Sequence, residues 1–265
     1  LIVMLPNISF AENSYIKWVD FNINSSILTK IAKLDIDSHK DSNSIVKFNF
    51  AEILAYLASK YGGDFTRFNS KDLDTLISEL QKGITIEEMT TNSKYYNYYH
   101  EVYSTIFDEY IGEYSLEKED ENGNKIYETV YGIKAFSPIA KNYSFSHYRD
   151  FGNSRSYGYK RLHLGNDMMG SIGTPIIAVE SGIVEVAGWN QYGGWRIGIR
   201  SFDGKKYYYY AHLRKDHPFA ENIYEGKVVT AGDVIGYLGM TGYSAKENVN
   251  NINVPHLHFR SSTYI

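Results

Sequence analysis

An α+β fold in two successive parts is predicted by three features of this 265-residue chain. Between residues 49 and 110, apolar side chains recur at helical spacing. From about residue 135, glycines punctuate a series of short β-prone runs, the pattern of a β-rich antiparallel sheet. The charge also changes sign: residues 1–134 carry 13 Lys/Arg against 21 Asp/Glu, and residues 135–265 carry 14 against 10. The expected organisation is a residual signal-peptide tail (1–11), a helical N-terminal module with a terminal hairpin (12–134), and a β-rich domain (135–265).

The tail is read from Leu1-Ile2-Val3-Met4-Leu5-Pro6, an apolar run followed by Ser9-Phe10-Ala11, the small-x-small pattern of a signal-peptidase site. This makes Glu12 the expected mature N-terminus and places the protein outside the cytoplasm, secreted or in the cell envelope. A buried N-terminal strand is the competing reading.

An extended piece around Tyr15–Phe21 leads to a brief helix signal with Ile27, Leu28 and Ile31 on one face. Asn49 and Glu52 have capping-box spacing, Ile53, Leu54, Leu57 and Tyr61 form an apolar stripe, and Gly62-Gly63 stops that helix. Leu73, Leu76, Ile77 and Leu80 mark a third, stopped by Gly83, and Thr85 with Glu88 can cap a short turn. Tyr95, Tyr99, Val102, Ile106 and Tyr110 mark one face of a longer helix, an aromatic stripe that suits a core better than a ligand box. Asn122-Gly123 between Tyr114–Lys118 and Lys125–Val130 reads as a hairpin. No chemistry is legible in this half.

In the second half the strand candidates are Ile176–Val179, Ile183–Trp189, Arg196–Phe202, Lys205–His212, Lys227–Val229, Val234–Leu238 and Leu257–Arg260. Asp203-Gly204 joins two of them as a hairpin.

Composition narrows the chemistry. Hydrophobic content of 43% fits a globular core, and the 25 tyrosines suit polar grooves and half-buried sheets. A net charge of -4 argues against general nucleic-acid binding, and no run is long enough to span a bilayer. With no cysteine, disulfides and thiolate metal sites are excluded, so a metal must be held by His and carboxylate.

Those residues cluster late in the chain. Val254-Pro255-His256-Leu257-His258-Phe259 puts two imidazoles on one face of a strand. His163 and Asp167 are four apart, which suits one helix face, but Gly165, Gly170 and Gly173 argue for a loop. Tyr210-Ala211-His212-Leu213 ends a strand in which period 2 puts Tyr208, Tyr210 and His212 on one face. A catalytic zinc needs three protein ligands and one open position. His163, Asp167 and one of the two late histidines supply three; the residues leave open which, and two histidines remain to work on a water. His39, His100, His147 and His217 read as surface or satisfied structural histidines.

These motifs resemble the M23 (lysostaphin/LytM-type) zinc metallopeptidases. The likeness covers about residues 145–260: His-x-x-x-Asp, Tyr-Ala-His-Leu, His-Leu-His, and connecting text such as Gly173-Thr174-Pro175, Ser181-Gly182-Ile183-Val184 and Gly232-Asp233-Val234-Ile235-Gly236. The resemblance implies a β-sheet groove and cleavage of peptide bonds in peptidoglycan stems or cross-bridges. By position it implies that His163, Asp167 and His258 hold Zn2+, while His212 and His256 flank the catalytic water as base and transition-state stabiliser. Tyr192 resembles the loop bordering the family's substrate groove, and Tyr208 is expected on its floor. The expected partner is a peptidoglycan peptide, with wall-associated proteins as further partners.

A degenerate scaffold that binds wall or a partner without cleaving is the alternative, but such members lack metal or catalytic positions and all five stand here. A zinc enzyme acting on another peptide is a third reading. Two departures from the family pattern stand out. Only Arg260–Ile265 follow Phe259 here, so either the strand pairing that seals this edge is short or the native protein runs on, and the Asn-rich loop Ala245–Asn253 is placed to narrow or cover the groove. The module before residue 135 has no counterpart in the resemblance; it leads into Phe136–Tyr159 and is expected to position the groove or restrict access to it.

Overall fold

Local signals set the helices of the first unit. A computed structural model describes residues 22–108, 110–156 and 159–263; the signal tail 1–11, the piece around Tyr15–Phe21 and the last two residues lie outside the described residues. Helix α1 (Ser25–Lys40) starts at Asn24, whose side chain accepts from the Ser26 N–H. It runs well past Ile31, because its later turns bury polar Asp35 and Ser38 instead of apolar residues. Both are used. Asp35 accepts from the Phe50 N–H and the Tyr131 hydroxyl at 2.8 and 2.9 Å, and Ser38 Oγ donates to the Asp35 carbonyl while accepting from the Phe48 N–H.

Helix α2 (Phe50–Tyr61) begins at Asn49, buries Ile53, Leu54, Leu57 and Ala58 completely, and ends at Gly62 in left-handed backbone (φ 67°). A 3-10 turn (Phe65–Arg67) leads to α3 (Ser70–Gln81), which buries Leu73 and Leu76. The Thr85/Glu88 capping box opens α4 (Ile86–Thr90). Helix α5 (Tyr96–Phe107) packs on α2. Its inward face is Tyr96, Val102 and fully buried Tyr103, with Tyr99 and Ile106 at its margin. The expected stripe is therefore offset: Tyr95 is half exposed at the cap and Tyr110 follows the helix, because Tyr103, stacked on Tyr99, takes the central place. A β1–β2 hairpin (Ile111–Glu119, Lys125–Ile133) closes this unit, pairing Ile111 with Ile133 through Glu119 with Lys125.

The chain divides after Lys134 into two compact units. The second is built on a seven-stranded antiparallel sheet ordered β11-β8-β9-β10-β13-β6-β3. Its strands are β3 (Ser146–Tyr148), β6 (Asn166–Met169), β8 (Gly182–Asn190), β9 (Gly194–Ser201), β10 (Lys206–Ala211), β11 (Val228–Val229) and β13 (His256–Thr263). Two small ribbons flank it: β4 (Ser154–Arg155) with β5 (Arg161–Leu162), and β7 (Pro175–Ile177) with β12 (Val234–Tyr237). Val184, Ile197, Ile199, Tyr208, Tyr210, Ile235 and Leu257 are fully or almost fully buried beneath the sheet. The architecture is α+β.

Two expectations are corrected here. β13 is not short: it pairs with β10 from Ala211↔His258 to Lys206↔Thr263. The His163–Asp167 segment is not all loop: Asp167 sits on β6, because the glycines around it shape its ends and leave its middle free to pair with β13. No helix among the described residues is long and apolar enough to cross a membrane.

Candidate active site

Strand register assembles the site. β13 lies between β6 and β10, so His258 has Asp167 directly opposite on one side and Ala211 on the other. Opposed residues share a face with their Cβ atoms about 5 Å apart. His256, two residues earlier, faces the same way. His163 arrives from the turn after β5 through Leu164-Gly165. A Cβ on Gly165 would stand 2.4 Å from the His258 ring, so only glycine lets that ring lie against the turn.

Three atoms converge. His163 Nε2 is 3.0 Å from Asp167 Oδ1 and 2.9 Å from His258 Nδ1, and His258 Nδ1 is 2.8 Å from Asp167 Oδ1. Two ring nitrogens and a carboxylate oxygen meeting at one point are a donor set for a cation, and the three are the ligand cluster found among the described residues. Their spacing is a few tenths of an ångström below the roughly 3.3 Å that tetrahedral zinc bond lengths require, so small outward shifts of the rings admit the ion. The residues fit the metal.

The electrostatics follow from this convergence. Burial works against a charged Asp167, yet hydrogen bonds from His163 and His258 and the nearby His258 and His256 hold its carboxyl far below the usual carboxylate range. His163 is also depressed by burial, but its hydrogen bond to Asp167 and the charges of Asp167 and Asp150 outweigh that and raise it. For His258 burial wins over Asp167 and its value falls.

Support comes from residues that the motifs do not reveal. Asp150 Oδ1 lies 2.8 Å from the other ring nitrogen of His163, off the line of a hydrogen bond. A carboxylate behind a ligating histidine orients the ring and raises its basicity. Arg155 pairs with Asp150 and places Nη2 3.3 Å from Asp167 Oδ2. No spacing rule points to either residue; both reach the site through the β4–β5 ribbon and the turn before it.

His212 and His256 stand beside the cluster with ring centroids 4.8 Å apart. His212 Nδ1 lies 2.9 Å from the Thr241 carbonyl and His256 Nδ1 2.9 Å from the Val254 carbonyl. A carbonyl only accepts, so each Nδ1 carries a proton. Burial, then the neighbouring His256 and His258, hold His212 well below the ordinary histidine value. It is a neutral base.

Tyr208 is the sequence expectation that the structure places elsewhere. It is fully buried, stacks on Phe259, and donates its hydroxyl to Glu180 on the core side of the sheet. β10 ends at Ala211, and His212 adopts left-handed backbone (φ 64°), which breaks the alternation and turns its ring to the opposite face from Tyr208 and Tyr210. Tyr207 and Tyr209 line the groove instead.

That groove has a volume of about 450 Å³ and runs past His163, His212 and His258. Tyr192 borders it from the β8–β9 turn, held by Asn190, whose side chain accepts from the Tyr192 and Gly193 N–H groups. The groove's lining residues include none from the Asn-rich loop Ala245–Asn253. Asn248 ties it down, accepting from Trp195 Nε1 and the Asp216 N–H, while Tyr243 and Ser244 donate their N–H groups to the carbonyls of Tyr192 and Gln191. Tyr243, two residues before that loop, lines the groove with its ring 5.7 Å from that of His212.

Known proteins resemble this part of the chain. Residues 161–264 match the family model for Peptidase family M23. An L-Ala--D-Glu endopeptidase from Bacillus subtilis is 39% identical over 122 residues, which cover 46% of this chain and 35% of that protein. Lysostaphin from Staphylococcus simulans is 41% identical over 100 residues, covering 37% of this chain and 18% of that protein. The match thus spans about a third or less of these curated relatives' length. Among solved structures, that of a lytM protein from Ruminococcus gnavus covers 89% of this chain and 78% of its own at 20% identity, with a TM-score of 0.51. Such coverage cannot fit within residues 135–265, so the likeness of fold reaches into the N-terminal unit, for which the sequence motifs offered no counterpart. Residues 161–264 are thus the part of this chain that resembles Peptidase family M23.

Proposed function

We propose that this chain is an exported zinc-dependent endopeptidase that cleaves peptide bonds in bacterial peptidoglycan, in the stem peptide or the cross-bridge. One observation carries the reading: His163 Nε2, Asp167 Oδ1 and His258 Nδ1 converge within 3.0 Å of one another beside two histidines whose Nδ1–H groups are held by backbone carbonyls. The relatives named above are endopeptidases, and Peptidase family M23 is a metallopeptidase family.

His163, Asp167 and His258 would hold the zinc, which when bound supplies Lewis acidity at an open fourth position. The chain's own groups do the rest. Burial keeps His212 neutral, so its Nε2 accepts the proton of the attacking water. The N–H so formed then faces the oxyanion and can protonate the leaving amine. His256, with Nε2 3.7 Å from Asp167 Oδ2, flanks the same water and stabilises the transition state. Asp150 and Arg155 keep His163 and Asp167 aimed. Tyr192 borders the peptide's path; Tyr208 supports the sheet beneath it. Export fits the reading of residues 1–11, and sequencing the N-terminus of protein recovered from the medium should begin at Glu12.

The test joins metal analysis to turbidity of purified cell walls. The chain should bind one zinc and clear walls, His212→Ala should keep the zinc and lose clearing, and muropeptides analysed by mass spectrometry identify the bond. A zinc-loaded chain that leaves walls intact, with His212→Ala indistinguishable from it, returns the protein to the binding-module reading.

A further inference from the structure

We propose, resting on the endopeptidase reading, that Arg161 takes a carboxylate of the substrate peptide, so that the groove selects an acidic peptide over an uncharged one. The groove is cationic: Arg155, Arg161 and Arg260 line it, and none of its described lining residues is Asp or Glu. β13 delivers both His258 and Arg260, and β5 delivers Arg161 and leads into the turn that carries His163. Arg260 follows His258 by two residues, one strand repeat of roughly 6.5 Å, and Arg161 precedes His163 by two. Along an extended substrate, roughly 6.5 Å is about two residues from the bond to be cut.

The three arginines are not equivalent. Arg155 already pairs with Asp150 and Asp167. Arg260 is exposed on β13. Arg161 is half-buried and held in a tyrosine cage, with its guanidinium 5.4 Å from the ring centroid of Tyr159, 5.2 Å from that of Tyr192 and 5.5 Å from that of Tyr243. These tyrosines come from three separate segments that converge on this one side chain. Rings against a guanidinium fix its plane and strip part of its hydration. Its N–H fork then meets a carboxylate with little rotamer entropy left to lose. An amide at the same point offers one acceptor oxygen and no charge.

The test uses the full-length chain and one pair of probes: a stem tripeptide containing L-Ala-D-Glu with the D-Glu carboxylate free, and the same peptide with that group as its primary amide. Binding is measured by calorimetry on zinc-free protein, so that neither turnover nor the metal contributes. The acid is expected to bind roughly tenfold or more tightly than the amide. Arg161→Gln should abolish the difference, Arg161→Lys should restore part of it, and Arg260→Gln should leave it in place, with circular dichroism verifying each fold. Equal binding of the two peptides, undetectable binding of both included, overturns the proposal, as does a difference that survives Arg161→Gln. The same pair on zinc-loaded protein should differ in kcat/KM in the same sense. If the acid binds preferentially through Arg161 but no peptide or wall is cleaved, the endopeptidase reading fails and the role of Arg161 stands.

Discussion

The two units bury polar side chains in opposite ways. In the helical unit Asp35 is almost fully buried, and its oxygens take a backbone N–H and a tyrosine hydroxyl, with His39 beside them and stacked on Tyr131. Such groups finish the fold's own hydrogen bonds. In the β unit His163, Asp167, His258 and His256 are turned toward one another. Acceptors are gathered there instead of matched. Tyrosines divide the same way: Tyr103 is sealed in the helical core, where burial pushes its hydroxyl well up, while Tyr159, Tyr192 and Tyr243 wall a groove. Burial alone therefore does not mark a site; what the buried polar atom faces does.

Two alanine substitutions break the contrast from its two ends. Asp167→Ala should abolish zinc binding and lower wall clearing by more than about a hundredfold, since even residues behind a metal ligand are worth ten to a hundred. Inductively coupled plasma analysis and turbidity read both losses, and retention of full zinc defeats the ligand assignment. Asp35→Ala should do the reverse. It leaves the Phe50 N–H and the Tyr131 hydroxyl without their acceptor and should lower stability by about 3 kcal/mol, read by denaturant titration of helical circular dichroism. Zinc content should not change.

A pH series sharpens the contrast through His212. Its folded value lies well below the ordinary 6.5, so at low pH the unfolded chain binds a proton that the folded chain refuses. Stability then rises with pH, and the contribution is lost as pH falls below about 6.5 and onward toward the folded value. His212→Gln removes that proton. Between about pH 7.5 and about pH 5 the zinc-free variant should lose less stability than the zinc-free parent. Parallel losses in the two proteins defeat the burial argument.

Much of this was legible from local sequence. Asn49, Thr85 with Glu88, Asn122-Gly123 and Asp203-Gly204 act within a few residues, and each stands where its spacing predicts a cap or turn. The five site positions were legible as residue types. The shared face of His256 and His258 was legible too, but the facing of His212 was not, because its left-handed backbone reverses a strand's parity without altering its composition. Arg161 escaped notice for a related reason. Reading the segment as a glycine-set loop hid the two-residue step that puts it on the side of His163. Asp150, Arg155 and Tyr243 reach the groove only through tertiary structure, and Asp35 looks on a helical wheel like any solvated acid.

The smallest expected effect concerns what the first unit does for the second. Residues 135–265 should fold alone: every strand of the seven-stranded sheet comes from within 146–263, and its core, from Val184 to Leu257, is supplied by the same stretch. If the acidic helical unit positions the groove or restricts access to it, removing it should change wall clearing severalfold while leaving zinc content at one per chain. Short peptides separate the two roles. A unit that restricts access slows walls more than soluble peptides, so its removal raises the first rate and spares the second; a unit that positions the groove shifts both rates together. Equal rates for residues 135–265 and the whole chain on the same walls remove both roles, and leave the helical unit's buried polar network serving only its own fold.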